Sequence, residues 1–191
     1  MFAAQGHVGP QLRLYLEVAP RVTANEQRLE RLVLRGALGW DLSRHASLWV
    51  GHGWTPLVSP DFQDEQRPFQ QLLLTRSAGG GTLVNRTRLE QRLIEGADLS
   101  WRLRHLVRFL RPLGAGSPWR AIASGELFAN LNAPAIGPAQ GFDQSRIFAG
   151  VGYQAGAVLV EGGYLNDYIA RRARADLMRH VAVLTATFNW P

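Results

Sequence analysis

The feature that most constrains this sequence is a period-two alternation of apolar and polar side chains, repeated in segment after segment. In the first such segment Leu12, Leu14, Leu16 and Val18 alternate with polar residues. Successive side chains of a β-strand point to opposite faces, so this alternation predicts strands with one apolar and one polar face. Ten segments carry the pattern, at about 11–18, 32–42, 45–54, 67–76, 82–92, 101–112, 119–129, 142–153, 157–165 and 179–189.

The lengths and connections of these segments indicate a membrane barrel. Most are about as long as a tilted strand that crosses a bilayer, and brief turns such as 43–44 and 154–156 alternate with longer polar connections at Thr55–Gln66, Asn130–Gly141 and Asn166–Met178. We predict an all-β fold, a closed antiparallel up-and-down transmembrane β-barrel of about ten strands, with eight to twelve compatible with the pattern. The chain 1–191 forms a single domain, with an N-terminal tail at 1–10 and strands from about 11 to 189.

Composition narrows the class further. The chain has no cysteine, which excludes disulfides and thiolate sites, and its 21 basic residues are all arginine, with a formal charge of +6. Polar residues interrupt every apolar run, so no segment is long enough for a transmembrane helix. The start, 1–5, lacks the charged and apolar regions of a secretory signal, and we interpret it as processed or truncated.

The arginines share strand faces with carboxylates, which predicts a charged lumen. If the fifth and sixth segments form a hairpin with a loop centred near 96–97, Glu90 lies across from Arg104, and Arg86 from Arg108. Glu17, Glu126 and Glu161 stand on other segments and supply further compensation. The predicted lumen network is Arg35, Arg86, Arg88, Glu90, Arg92, Arg102, Arg104, Arg108, Glu126, Arg146 and Glu161.

The side chains on the strand faces opposite the arginines distinguish a membrane barrel from a soluble barrel whose charged face is exposed to solvent. Residues such as Leu103, Val107 and Ile147 form an apolar band of the kind that lipid accepts. Tryptophans near predicted strand ends are typical of interfacial girdles, and we assign Trp40, Trp54, Trp101, Trp119 and Trp190 to them. Trp49 lies in the middle of a segment and does not fit a girdle. The soluble barrel stays open as an alternative.

Residues 101–111 allow a second interpretation. Leu103, Leu106, Val107 and Leu110 also stand at helical spacing opposite arginines, as in a basic amphipathic helix at a membrane surface. The strand interpretation fits the neighbouring segments on both sides, and we prefer it.

Several stretches resemble an uncharacterised outer-membrane β-barrel family, domain of unknown function 2490. They are 64–71, 85–92, 101–111, 125–130, 141–153, 163–168 and 179–183, which together cover most of the chain from the second strand onward. The resemblance implies an exported protein of the bacterial outer membrane and brings no established reaction. One departure is Pro191, which follows the aromatic residue that such barrels present at the C-terminus to the insertion machinery.

Catalytic, metal and nucleic-acid sites find little support in the sequence. His45 and Ser47 stand two residues apart, vaguely like the histidine and serine of barrel lipid A deacylases, but Leu48 replaces the asparagine that follows there. Acidic groups and bases for an omptin-like site on the external rim would come from Asp41, His52, Asp64, Glu65 and His180.

The histidines lack the sequence spacing of metal ligands. Residues 78–81 predict a turn rather than a phosphate-binding loop, because no lysine and no helix follow them. We predict no metal or cofactor, and we do not expect an enzyme.

The expected function is a structural or surface-interaction barrel, or a very narrow, porin-like, anion-selective pore lined by arginine and glutamate. Alternatives are an omptin-like or lipid-modifying barrel enzyme, and a soluble basic barrel that binds nucleic acid or a small ligand. The expected partners are the outer membrane of a Gram-negative bacterium, with its lipopolysaccharide, and small anions, and we expect no nucleic acid. Both termini are expected to be periplasmic.

Overall fold

In the computed structural model, which describes residues 1–23, 28–59, 61–171 and 175–191, the chain forms a closed β-barrel. Eleven strands build its wall, and they are β1 (Phe2–His7), β2 (Leu12–Thr23), β3 (Arg28–Ser43), β4 (Ala46–Trp54), β5 (Glu65–Ala78), β6 (Gly81–Ile94), β7 (Ser100–Pro112), β8 (Trp119–Asn130), β9 (Gly141–Ala155), β10 (Val158–Ile169) and β11 (Leu177–Asn189). Parts of two predicted connections, namely Pro60 and 172–174, lie outside the described residues.

Each strand pairs with its neighbours in chain order, and β1 closes the sheet between β2 and β11. The β1–β11 pair is parallel, whereas all other pairs are antiparallel. An odd number of up-and-down strands makes this unavoidable, because the first and last strands then run in the same direction. The parallel ladder is short and joins Phe2–Gln5 to Ala186–Asn189.

The predicted all-β closed barrel is confirmed, with two corrections. The strand count is eleven rather than about ten, because residues 1–10, which we predicted as a tail, contain β1. The closure is therefore parallel at one seam instead of antiparallel throughout. The helical interpretation of 101–111 is wrong, since β7 pairs with β6 and β8 along its whole length.

The two ends of the barrel differ, as predicted. Connections of two residues join β3 to β4, β5 to β6 and β9 to β10 at one end, which we call the short-turn end. The connections 55–64 and 131–140 lie at the opposite end, which we call the long-loop end. Among the described residues, no helix is long and apolar enough to span a membrane.

Apolar side chains cover the outside of the wall, and polar ones fill the inside. Leu48, Val50, Ile147 and Leu184 are all exposed on the outer face. Buried charged residues, by contrast, come from the inward positions of the strands, as with Arg88 and Glu90 on β6. This inside-out arrangement is that of an outer-membrane-type barrel, because lipid accepts an apolar exterior and a soluble barrel does not present one.

Candidate functional site

The candidate site is the charged lumen, which we define as the inward-facing arginines and carboxylates of the wall. It is positioned by strand alternation: every second residue of β6 from Arg86 to Arg92 faces inward, as do Arg102, Arg104 and Arg108 on β7. Because β6 and β7 are neighbours, these two rows stand side by side.

Glu90 is the centre of the charged lumen. Its side chain is 1% exposed, and its carboxylate accepts hydrogen bonds from Arg102 Nη2 at 2.7 Å and from Arg104 Nη1 at 2.6 Å. Arg88 Nη1 approaches the same carboxylate at 3.7 Å. One buried carboxylate thus holds guanidinium groups from β6 and β7 together.

The predicted register of this hairpin is wrong by two residues. Glu90 pairs with Arg102 rather than Arg104, and Arg86 pairs with Leu106 rather than Arg108. The connection spans 95–99, and the backbone geometry of such a turn, which sets the register, cannot be read from side-chain alternation. The Glu90–Arg104 ion pair still forms, diagonally across the two strands.

Glu126 of β8 forms the second centre. Its Oε1 accepts from Arg104 Nη2 at 2.8 Å and from Arg86 Nη2 at 2.7 Å. Arg104 therefore bridges Glu90 and Glu126, and the network extends over three adjacent strands.

Two buried phenylalanine rings lie beneath the guanidinium groups. Phe128 contacts three of them, with the Arg104 and Arg146 carbons 4.6 Å and 4.8 Å from its centroid and that of Arg102 at 5.3 Å. Phe69 lies 4.1 Å from Arg88 in the same way. Cation–π contacts of this kind stabilise a desolvated cation and fix its orientation.

Further ion pairs line the remaining wall. Glu17 of β2 accepts from Arg35 at 2.5 Å and from the Tyr15 hydroxyl. On the facing strands Arg108 pairs with Glu161, and Arg146 pairs with Asp167 at 3.1 Å. Every predicted lumen residue on β3, β6, β7, β8, β9 and β10 thus has an inward ionic contact, including Arg92, which donates to Glu65 at 2.7 Å.

A third centre, which the alternation had not identified as part of the lumen, lies at the long-loop end. Glu65, one of the candidate groups of an external omptin-like site, is buried in the lumen. It accepts hydrogen bonds from Arg67, Arg92 and Arg31. The sequence signal for this position was the alternation at the start of β5, which places Glu65 on the same inward face as Phe69.

The charged lumen does not fill the barrel alone. Ala37, Trp49 and Phe69 form an apolar cluster with Tyr15 and Leu73 packed against it. On β3 Ala37 stands nearer the short-turn end than Arg31 and Arg35, and on β5 Phe69 and Leu73 stand nearer that end than Glu65 and Arg67. The lumen therefore carries an apolar layer that the sequence did not indicate, and Trp49 belongs to it.

The five predicted girdle tryptophans lie in two groups near the two ends of the barrel. Trp54 and Trp101 stand at the ends of β4 and β7 on the long-loop side. Trp40, Trp119 and Trp190 stand at the opposite end, where Trp40 and Trp119 are about half exposed. Trp119 also packs edge-on against Tyr153.

The residues considered for catalysis do not converge. Ser47 is buried and accepts a hydrogen bond from Trp49, whereas His45 is exposed and lies against Thr75 O. Asp41 contacts His7 at the short-turn end. His180 contacts Tyr164 on the outer face.

Only His52 and Asp64 of that set are linked, through Gln66, which lies 2.6 Å from His52 Nε2 and donates to Asp64. Hydrogen bonds from Gln66 and from Trp54 hold the pKa of Asp64 below its usual value, so this carboxylate stays ionised. A groove of about 830 Å³ runs beside it on the long-loop rim, with Phe62 and Leu93 among its lining residues. Within the described ranges, no three His, Cys, Asp or Glu side chains are grouped so that they could hold a metal ion.

Comparisons with known proteins agree with this architecture. A family model described as protein of unknown function (DUF2490) matches residues 1–178. An uncharacterized protein of Methylorubrum extorquens strain AM1 is 32% identical over 187 residues, covering 94% of this chain and 81% of the relative. Among solved structures, LpxR from Salmonella typhimurium aligns with a TM-score of 0.52 at 8% identity, over 98% of this chain and 87% of that chain. At that identity the likeness concerns the fold alone.

Proposed function

We propose that this chain, which belongs to the DUF2490 family of proteins of unknown function, is a closed outer-membrane barrel. It acts at the membrane surface and does not conduct large solutes. The observation that carries this proposal is the burial of the network centre. Glu90, Phe69 and Phe128 are each at most 2% exposed although all three face the lumen. A barrel of this size has little interior left once arginine, glutamate and phenylalanine side chains fill it.

The surface activity is assigned to the long-loop end. The groove beside Asp64 combines exposed apolar side chains, Phe62 and Leu93, with the carboxylates of Asp64 and Glu95. An exposed apolar surface rimmed by polar groups is a common interaction site. Lipopolysaccharide and the surrounding bilayer are the partners that an outer-membrane position would offer here.

For orientation we propose the arrangement usual for such barrels, with the short-turn end periplasmic and the long loops external. The C-terminal end of β11 and the turn after β1 would then face the periplasm. Trp54 and Trp101 would mark the outer interface, and Trp40, Trp119 and Trp190 the inner one. Membrane fractionation followed by heat-modifiable migration in detergent gels tests the location and the folded barrel together.

A very narrow anion-selective path is a second candidate, and one observation favours it. Arg120 faces the lumen near the short-turn end, and its Nε is buried without a hydrogen-bond partner in the described part of the chain. Cationic groups in excess along a lumen would favour the passage of anions over cations.

Planar-bilayer recording separates the two candidates. A closed barrel gives no conductance steps after insertion has been verified by heat-modifiable migration. Small anion-selective steps that shrink in Arg88→Ala or Arg104→Ala would support the second candidate instead. Large steps of low selectivity would contradict both.

A further inference from the structure

Positive charge exceeds negative charge at the middle of the lumen. In the ion pairs of the described residues, five arginines, Arg35, Arg86, Arg88, Arg102 and Arg104, share four carboxylates, Glu17, Glu90, Glu126 and Asp143, the last of which lies 3.4 Å from Arg102. Arginine does not lose its proton in proteins, so this excess cannot be removed by titration. An unbalanced buried charge is strongly unfavourable unless a counter-charge is present.

The excess is concentrated on β6, at Arg88. Its guanidinium donates twice to the neutral Gln71 Oε1, at 2.9 Å and 2.7 Å, and has no carboxylate closer than Glu90 at 3.7 Å. It is 3% exposed and lies in the electric field of Arg35, Arg86 and Arg104. The hydrogen bonds of this cation therefore go to a neutral amide, an aromatic ring packs against it, and its nearest carboxylate, Glu90, is beyond hydrogen-bond distance.

Two N–H donors at this position make no hydrogen bond within the described part of the chain. Arg88 Nη1 and Arg86 Nε are both buried without a hydrogen bond among the described residues. The two arginines stand two residues apart on one strand, so both side chains enter the lumen from the same face. Buried N–H groups are nearly always satisfied in native proteins, which points to a species that the chain itself does not supply.

We infer that a small monovalent inorganic anion, a halide such as chloride, is held in the lumen between Arg86 and Arg88. Its single charge offsets the excess, and it accepts from both free donors at once. A monoatomic ion fits because the ring of Phe69 packs against the Arg88 guanidinium and donates no hydrogen bond, and the two free donors are too few for the several oxygens of a phosphate. The site is independent of the surface role proposed above, since a resident ion stabilises the barrel whether or not ions pass through it.

Ion-specific stabilisation tests this inference. The folded barrel is transferred to sodium gluconate, and bromide replaces gluconate at constant ionic strength while the thermal unfolding midpoint is measured. Binding to the folded state alone raises the midpoint by roughly 3–6 °C for each tenfold increase of bromide above its dissociation constant. An unchanged midpoint would overturn the inference, because it would leave water as the partner of the free donors.

Two variants locate the effect. Arg88→Gln removes the excess charge and one free donor, and it should lose most of the bromide dependence. Arg179→Gln changes the net charge equally but lies at the rim beside Glu30, and it should keep the full dependence. Equal responses of both variants would place the ion elsewhere and refute the assignment to Arg88.

Crystals of the wild-type protein grown in bromide provide a readout that does not depend on a variant folding. An anomalous peak within hydrogen-bond distance of Arg86 and Arg88 is the expected result. Bromide peaks confined to the outer surface would contradict the site.

Discussion

Replacing Glu90 with glutamine should destabilise the barrel more than any other single loss of a carboxylate in the lumen. The side chain is 1% exposed and accepts three hydrogen bonds, from Arg102 at 2.7 Å and 3.1 Å and from Arg104 at 2.6 Å. Glutamine keeps the shape but removes the charge, so guanidinium groups that shared one carboxylate are left facing one another. Breaking a buried ion pair in this way costs about 3–5 kcal/mol of unfolding free energy.

The matched control is Glu30→Gln. Glu30 and Arg179 are 28% and 37% exposed and lie 3.2 Å apart at the rim, where water screens the pair. An exposed pair contributes about 0–1 kcal/mol. Urea unfolding in lipid vesicles, followed by tryptophan fluorescence and by heat-modifiable migration, measures both free energies. If Glu90→Gln and Glu30→Gln lose the same amount, the claim that burial makes the central network decisive is wrong.

A double variant identifies the physical cause of the loss. If repulsion between arginines dominates, adding Arg88→Gln to Glu90→Gln removes one of the repelling cations and recovers part of the stability. If lost packing dominates, the two costs add. Additive costs would therefore refute the electrostatic explanation even if the single variant is as unstable as expected.

Two further predictions concern the wall and the rim. A methyl group at Gly163 would overlap a backbone carbonyl of the neighbouring strand and the ring of Phe148. Gly163→Ala should therefore lower the unfolding free energy by about 1–3 kcal/mol in the same urea assay. The control is Gly162→Ala, whose methyl group meets open space on the outer face and should leave the stability unchanged. Because the pKa of Asp64 is lowered, its hydrogen bond from Trp54 should persist as the pH falls through the usual aspartate value of about 3.9 and break only at lower pH. The chemical shift of the Trp54 indole N–H against pH measures this, and a midpoint at or above the usual value would contradict it.

Strand alternation was sufficient to predict the wall and the sets of charged residues that share a strand face, whereas their inward direction was predicted from the apolar opposite face. In β7 the arginines at 102, 104 and 108 share one face whatever their partners are, so their common face follows from period two alone. The same rule covers Glu126 and Glu161, which stand on strands with few other charges. Local sequence is enough for such features because the geometry that decides them is local.

Features that depend on distant pairing could not be predicted. The β6–β7 register is set by the backbone of the turn 95–99, and β1 is recognisable only through its pairing with β2 and β11. Glu65 looked like a loop residue because it lies within the predicted connection Thr55–Gln66. Its partners Arg31 and Arg92 come from β3 and β6, and only the closed barrel brings them together.

The parallel seam has a consequence for assembly. Phe2 and Ala186 are partners in the sheet although nearly the whole chain separates them. Contacts between such distant residues form slowly, because a very long loop must first be closed. Insertion of this barrel should therefore end with the joining of β1 to β11, and until that step the growing sheet has two free edges that a chaperone or the insertion machinery must shield.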